Sequence, residues 1–302
     1  MAKNSIDIGC LEEKSSWLLH PRFFPSKIGG KPAWLDLKNL PSPSDLTCKI
    51  CNDHLIFLGQ IYAPYEESNE CFHRTIFLFI CRRGECCKIN SADNFVVFRC
   101  QLPRKNDYYA FEPYEENESE DDSAAHLNNF TVTDSGKSLL FKEWEIVIDE
   151  EDDEEVADVD VNQEMEKLNK MIQERRAGTM SNVSDSELEQ YAQKAPEDKV
   201  YNKFSKRIAR HPEQVLRYDR GGSPLWITGN AGNGVNNIPN CQYCNGERQF
   251  EFQVMPQLLN FIDVGVDFQS VDWGVLAIYT CKTSCNDGPS YKQEFMIKQD
   301  LN

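Results

Sequence analysis

The fold follows from Cys241-Gln-Tyr-Cys244 and from Cys281-Lys-Thr-Ser-Cys285, whose first cysteine comes 37 positions after Cys244. Two short pairs of thiolates are the ligand set that structural zinc takes in a closed tetrahedral site. Each pair is spaced for a tight turn, so two strand ends can present four sulfurs to one ion. This segment is therefore predicted to form a zinc ribbon.

The same pattern occurs earlier in the chain, where Cys48 and Cys51 are followed by Cys81, 30 positions after Cys51. Cys86 and Cys87 both stand where a fourth ligand is needed. The Cys-x-x-x-Cys spacing of the later site favours Cys86, the nearer of the two. The predicted ligands of two structural zinc ions are Cys48, Cys51, Cys81 and Cys86 for the first, and Cys241, Cys244, Cys281 and Cys285 for the second.

The segments around the cysteines also recur in the same order. Pro32-Ala-Trp-Leu35 precedes the first cysteine pair much as Pro224-Leu-Trp-Ile227 precedes the second, and Phe57 to Ile61 corresponds to Phe250 to Val254. Short apolar runs of this kind predict buried strands. The chain is therefore predicted to use one β unit twice. The predicted strands include Leu55–Tyr62, Thr75–Cys81, Phe95–Gln101 and Val275–Cys281.

Composition limits the classes of function. At 302 residues, 40% of them apolar, the chain can bury one substantial core or two small ones. Its formal charge of −17 makes most of its surface repel nucleic acid, so no direct nucleic-acid binding is expected. The acidic residues are clustered in two runs. Glu115 to Asp122 holds six carboxylates in eight residues, and Asp149 to Asp160 holds nine in twelve.

The first residues lack the apolar core of a signal peptide, and no run approaches the roughly 20 apolar residues of a membrane span. We therefore expect a protein of cytoplasm and nucleus without a membrane partner. In that reducing environment the 12 cysteines are metal ligands or buried thiols rather than disulfides. The residues interpreted as structural are Cys10, Cys71, Cys100, His54 and His73.

The predicted fold class is α+β and β-rich. It has two pseudo-repeated antiparallel β units, each with a zinc-ribbon-like four-cysteine knuckle, packed on each other. The predicted boundaries are residues 1–113 and 214–302 for these units and 114–143 for an acidic linker, with 144–213 holding a strand, the acidic run and helices. That strand is Trp144–Ile148. The helices are predicted over Val161–Ala177, from Ser184, and around Tyr201, Phe204 and Ile208.

Three strings of residues carry a resemblance to a known family: Phe24-Pro-Ser-Lys-Ile-Gly-Gly-Lys-Pro-Ala-Trp34, Gln101-Leu-Pro-Arg-Lys-Asn-Asp107 and Phe250-Glu-Phe-Gln-Val-Met-Pro-Gln-Leu-Leu259. The chain resembles the programmed cell death protein 2 family over both β units and the Glu145–Ile148 strand. The MYND-finger-containing type of that family has a further zinc finger before this strand. This chain has only Glu115 to Leu140 there, without cysteine, so any partner recruited by the finger is in doubt.

The resemblance implies a dedicated chaperone for small-subunit ribosomal protein S-two, the counterpart of bacterial S-five, in small ribosomal subunit biogenesis. Such a client is strongly basic, so its carrier needs dense carboxylate and a shaped apolar surface. We expect a monomeric carrier in a one-to-one complex. The expected partner-binding residues are Asp149, Glu150, Glu151, Asp152, Asp153, Glu154 and Glu155.

Catalysis is not expected, because a four-cysteine zinc site has no open position for a substrate. Two alternative hypotheses stay open. The first is a zinc-binding protein-interaction scaffold in transcription or cell-death regulation. The second is a nucleic-acid-binding zinc-ribbon protein, which needs basic residues near a knuckle. The residues have to be clustered, and the candidate cluster is Arg82, Arg83 and Lys88, beside Cys81.

Overall fold

The computed structural model describes residues 6–110, 133–134, 137–138, 140–151, 199–229, 237–263 and 270–301. Within these ranges the architecture is mostly antiparallel β-structure with few helices. None of the helices described there combines the length and the apolarity needed to cross a membrane. The helices predicted over Val161–Ala177 and from Ser184 lie outside the described residues, as does most of the predicted acidic linker.

The strands predicted from apolar runs are present to within about two residues, and the sheet also contains strands that were not predicted, such as Asp7–Glu12 and Leu216–Tyr218. Their bounds are β1 Asp7–Glu12, β2 Lys27–Ile28, β3 Ile56–Tyr62, β4 His73–Ile80, β5 Phe95–Leu102, β6 Thr133–Asp134, β7 Lys137–Ser138, β8 Trp144–Glu150, β9 Leu216–Tyr218, β10 Arg248–Val254, β11 Val275–Cys281, β12 Lys292–Gln293 and β13 Phe295–Gln299. Strands β6 and β7 form a separate hairpin. The other eleven form one sheet in the order β12-β5-β4-β3-β2-β8-β1-β9-β10-β11-β13.

The two ends of this order meet through one stretch of chain. Strand β12 pairs with β5, and the Glu294 N–H then donates to the Val97 carbonyl oxygen at 2.9 Å. From Phe295 onward the chain pairs with β11 instead. The sheet is therefore nearly closed, by a strand that changes partners at Glu294.

Strands β1 and β8 join the N-terminal half (residues 6–110) to the C-terminal half (residues 199–301). Strand β8 pairs with β2 at one end and with β1 along its length, and β1 also pairs with β9. The two predicted units are therefore parts of one continuous sheet. The reason is that β2 and β9 would otherwise be open edges with unpaired backbone groups.

Both halves contribute to the main apolar core. Leu58 and Leu78 from one half lie in the same buried cluster as Phe252 and Leu276 from the other. Trp273, also in this cluster, is fully buried. Because the core spans the junction, neither half buries its inner face alone.

The described α-helix, α1, covers Lys199–Arg210 and confirms the predicted amphipathic helix. Phe204 and Ile208 pack against Ile227, Met255 and Val275 of the C-terminal half. The described 3-10 helices are Ser16–Leu19, Pro21–Phe23, Asn69–Cys71, Gly84–Cys86 and Pro256–Asn260.

Candidate metal centres and the charged interior

The first group of four cysteines lies at the ends of β3 and β4. One sulfur from each of Cys48, Cys51, Cys81 and Cys86 lies within 4.8 Å of the other three. The Cys51 and Cys81 sulfurs are 3.6 Å apart. Sulfurs bound to a tetrahedral zinc at about 2.3 Å are about 3.8 Å from one another. The group therefore has the spacing of a metal centre.

The second group has the same geometry at the ends of β10 and β11. The sulfurs of Cys241 and Cys285 are 3.7 Å apart, and those of Cys244 and Cys281 are 3.6 Å apart. Neither group contains a disulfide. Each of the two groups could hold one metal ion.

Both Cys-x-x-Cys turns are closed by an asparagine in the left-handed conformation. Asn52 has a φ of 60° and Asn245 a φ of 59°. The Asn52 N–H donates to the Cys48 carbonyl oxygen at 3.0 Å, and the Asn245 N–H to the Cys241 carbonyl oxygen at 2.8 Å. Asparagine tolerates this conformation better than most residues that carry a Cβ. Asparagine after the second cysteine is thus a sequence signal for this turn, in addition to the cysteine spacing.

The structure places Cys86 and Cys87 differently. The sulfur of Cys86 lies in the first four-cysteine group. The Cys87 Sγ instead donates to the Asp272 carbonyl oxygen at 3.0 Å and lies 3.4 Å from the Asp272 N–H. Cys87 therefore connects this loop to the C-terminal half, and Cys86 is the sulfur positioned as a fourth ligand.

Burial and hydrogen bonds shift the pKa values of two cysteine thiols in opposite directions. Burial raises the pKa of Cys86 to about 11. Burial also disfavours the Cys281 thiolate, but hydrogen bonds from the Cys285 backbone and the Thr283 side chain lower the pKa of Cys281 to about 6. Zinc binds thiolates, so metal binding at either centre would release protons.

The predicted partner-binding carboxylates have different environments. Asp149 and Glu150 are exposed at the end of β8. The Glu151 side chain is only 2% exposed and accepts hydrogen bonds from Arg217 at 2.8 Å and from Arg207 at 2.9 Å. Glu151 thus connects β9 and α1 inside the protein. The other predicted residues, Asp152, Asp153, Glu154 and Glu155, lie outside the described residues.

Two buried ion pairs cross between the halves. Arg74 Nη2 donates to Glu251 Oε2 at 2.6 Å, and Arg99 Nε donates to Glu294 Oε1 at 2.7 Å. None of these four side chains is more than 1% exposed. Their burial is not evident from the sequence, because charged residues are rarely buried unless paired. The available signal was a single charge within an apolar strand, as in Phe250-Glu-Phe252.

Family models match both halves of the chain. The model of the N-terminal domain of programmed cell death protein 2 matches residues 5–116, and that of its C-terminal domain matches residues 198–300. The chain belongs to the programmed cell death protein 2 family. The resemblance seen in the sequence is thereby confirmed, and each matched segment contains one group of four cysteines.

Full-length relatives agree with the family. Programmed cell death protein 2 of Bos taurus is 37% identical over 98% of this chain and 96% of its own length. That alignment spans 346 positions, more than the 302 residues of this chain, so the bovine relative has residues that are absent here. Programmed cell death protein 2-like of Homo sapiens is 27% identical over 91% of this chain and 90% of its own length.

A more distant relative has a different name. Probable 20S rRNA accumulation protein 4 of Schizosaccharomyces pombe is 31% identical over 99 residues, which are 30% of this chain and 24% of the relative. No solved structure matches this family member.

Proposed function

We propose that this family member is a dedicated chaperone for the basic small-subunit ribosomal protein S-two and acts in small ribosomal subunit biogenesis. The observation that carries the proposal is the similarity to a relative named for 20S rRNA accumulation. Accumulation of ribosomal RNA depends on subunit assembly. A family that delivers a ribosomal protein would account for such a name. The role would place the protein in cytoplasm and nucleus, as a monomer bound one-to-one to its client.

The exposed end of β8 supports this role. Val147 and Ile148 are 37% and 44% exposed, and the exposed carboxylates of Asp149 and Glu150 follow them directly. A strongly basic client needs both kinds of contact, because charge attracts it and apolar surface fixes its register. The net charge of −17 favours such a client over nucleic acid.

We also propose that the two centres hold structural zinc and that the protein is not an enzyme. Four sulfurs complete the tetrahedral coordination of zinc and leave no position for a substrate. The similar turns at Asn52 and Asn245 support the hypothesis that the two halves are copies of one zinc-ribbon unit. Near the first centre, Arg83 forms an ion pair with Asp53 at the protein surface.

Co-expression with ribosomal protein S-two, followed by size exclusion and metal analysis, tests the proposal. The expected product is a soluble one-to-one complex with two zinc ions per carrier. A basic protein of similar charge but unrelated fold serves as the control client and is expected to precipitate. If S-two also precipitates beside a carrier that retains two zinc ions, the chaperone role is refuted and the scaffold hypothesis is preferred.

A further inference from the structure

Buried cations lie next to the second metal centre. The side chains of Arg99 and Arg248 are 0% and 5% exposed, and Lys292 is 3% exposed. Glu294 accepts from Arg99 at 2.7 Å and from Arg248 at 3.0 Å. Among the described residues it is the carboxylate with which Arg99 and Arg248 form ion pairs, whereas the Lys292 ammonium donates to the Pro289 carbonyl oxygen at 2.8 Å. The group therefore has more positive than negative charge in a place where water cannot compensate it.

Arg99 connects this charged group to the cysteines. Its Nη2 lies 3.9 Å from Cys285 Sγ, and its Nη1 is 3.3 Å from the Cys285 carbonyl oxygen. Glu294 and the Gln101 side chain hold the guanidinium in place. Gln101 also donates to the Ser284 carbonyl oxygen at 2.8 Å. Strand β5 of the N-terminal half thus holds the loop that carries the last cysteine of the C-terminal centre.

The first centre has no comparable arrangement among the described residues. Arg83, beside that centre, pairs with Asp53, and the two side chains are 58% and 47% exposed. Its cysteine loop is held from the other half by neutral contacts, such as Cys87 with Asp272, and by Lys298, which donates to the Lys88 carbonyl oxygen at 3.1 Å. Within the described ranges, it is the second centre that a buried guanidinium contacts.

We propose that Arg99 is a positioning residue for the C-terminal metal centre, with its guanidinium offsetting the charge of a zinc tetrathiolate and fixing Cys285. A zinc ion with four thiolates carries two negative charges. Arg99, Arg248 and Lys292 outnumber Glu294, so the net charge of this buried group is opposite in sign to that of the tetrathiolate. The inference rests on the zinc occupancy proposed above. Its consequence is that metal binding in one half depends on a strand of the other.

Site-resolved cysteine alkylation of the zinc-loaded full chain tests this inference. Arg99→Gln and the unaltered protein are exposed to a chelator and a thiol reagent, and mass spectrometry follows each cysteine. We expect the second centre of Arg99→Gln to be alkylated at least about tenfold faster, because loss of an outer-shell partner costs about 10-fold to 100-fold in metal affinity. Alkylation of the first centre should be unchanged.

Arg74→Gln is the matched control. It also breaks a buried ion pair between the halves, but in the described structure Arg74 contacts no cysteine. The inference is overturned if Arg74→Gln exposes the second centre as selectively as Arg99→Gln does, or if Arg99→Gln accelerates both centres equally. If Arg99→Gln does not fold, alkylation is measured in Arg99→Lys instead. The inference is overturned if the ratio of the alkylation rates at the two centres is the same in Arg99→Lys as in the unaltered protein.

Metal analysis of the unaltered protein separates the two proposals. Two zinc ions together with an unselective Arg99→Gln would refute the positioning role alone. A protein without zinc would refute the occupancy on which the positioning role depends.

Discussion

Gln60 and Gln253 make the same pair of hydrogen bonds in the two halves of the sheet. Gln60 accepts from the Ala33 N–H at 2.8 Å and donates to the Ala33 carbonyl oxygen at 3.3 Å. Gln253 does the same with Leu225 at 2.6 Å and 3.1 Å. Each glutamine therefore docks the residue between a proline and a tryptophan onto a strand of the sheet.

Replacing Gln60 by leucine should lower the free energy of unfolding by about 1 to 3 kcal/mol for each backbone group left unpaired. The Ala33 N–H and carbonyl are buried, so water cannot replace the lost partner. Urea unfolding measures the effect. Gln242→Leu, at an exposed position, is the control and should be nearly neutral. Equal stability of Gln60→Leu and the unaltered protein would contradict the expectation.

Metal content should distinguish the two adjacent cysteines of the first centre. Cys86→Ser should reduce bound zinc from two ions to one and destabilise the N-terminal half, because structural zinc contributes on the order of 10 kcal/mol to folding in small modules. Cys87→Ser should retain both ions, since its sulfur contacts Asp272. Elemental analysis of the purified variants checks this. Loss of zinc from Cys87→Ser alone would reverse the assignment.

The Arg74–Glu251 pair should make stability depend on pH in the acid range. Burial disfavours the Glu251 carboxylate, but Arg74 lowers its pKa to about 2 from an ordinary value of 4.5. A lowered pKa in the folded state means that this contribution is present above about pH 4.5 and is lost as the pH falls towards 2. Unfolding curves between pH 2 and pH 7 measure this dependence.

Glu251→Gln should cost about 3 to 5 kcal/mol near neutral pH, because Arg74 is left buried without a counterion. The variant should also lose less stability than the unaltered protein between pH 4.5 and pH 2. Glu67→Gln, at an exposed position, is the control for both measurements. An unaltered pH profile in Glu251→Gln would show that this pair does not govern acid stability.

Carboxylates of one acidic run should have separable effects. The double variant Asp149→Asn with Glu150→Gln should weaken capture of a basic client more at low salt than at high salt, because charge is screened over about 10 Å at 0.1 M. Glu151→Gln should instead lower stability, since Glu151 is held between Arg207 and Arg217. Pull-down at two salt concentrations and thermal unfolding distinguish these effects. Equal weakening of capture at both salts would indicate shape rather than charge.

Strands and cysteine groups could be predicted because their signals are local. The apolar run Ile76–Ile80 is buried on both faces, as its composition indicates, and the cysteine spacings bring four sulfurs together twice. The pairing of β1 with β8 and β9 was missed, because Asp7-Ile-Gly-Cys-Leu-Glu12 has no clear alternation and its partners are far away in sequence.

The charged interior could not be predicted for a different reason. Arg74 and Arg99 are compatible with burial only because Glu251 and Glu294 meet them from the other half. Propensity and periodicity describe one segment at a time, so they assign such residues to the surface. Glu294 also marks the change of partner between β12 and β13, which a single run of strand residues does not reveal.

The change of partner at Glu294 has a consequence for synthesis on the ribosome. Translation produces β5 early and β12 after all the strands between them, so the β5 edge has no β12 partner until the final stretch of the sheet emerges. Strands β1 to β5 are therefore translated well before the barrel-like closure is possible. Folding of this protein should be completed only after translation of Lys292 to Gln299, and nascent chains that end before this stretch would present an open edge to other proteins.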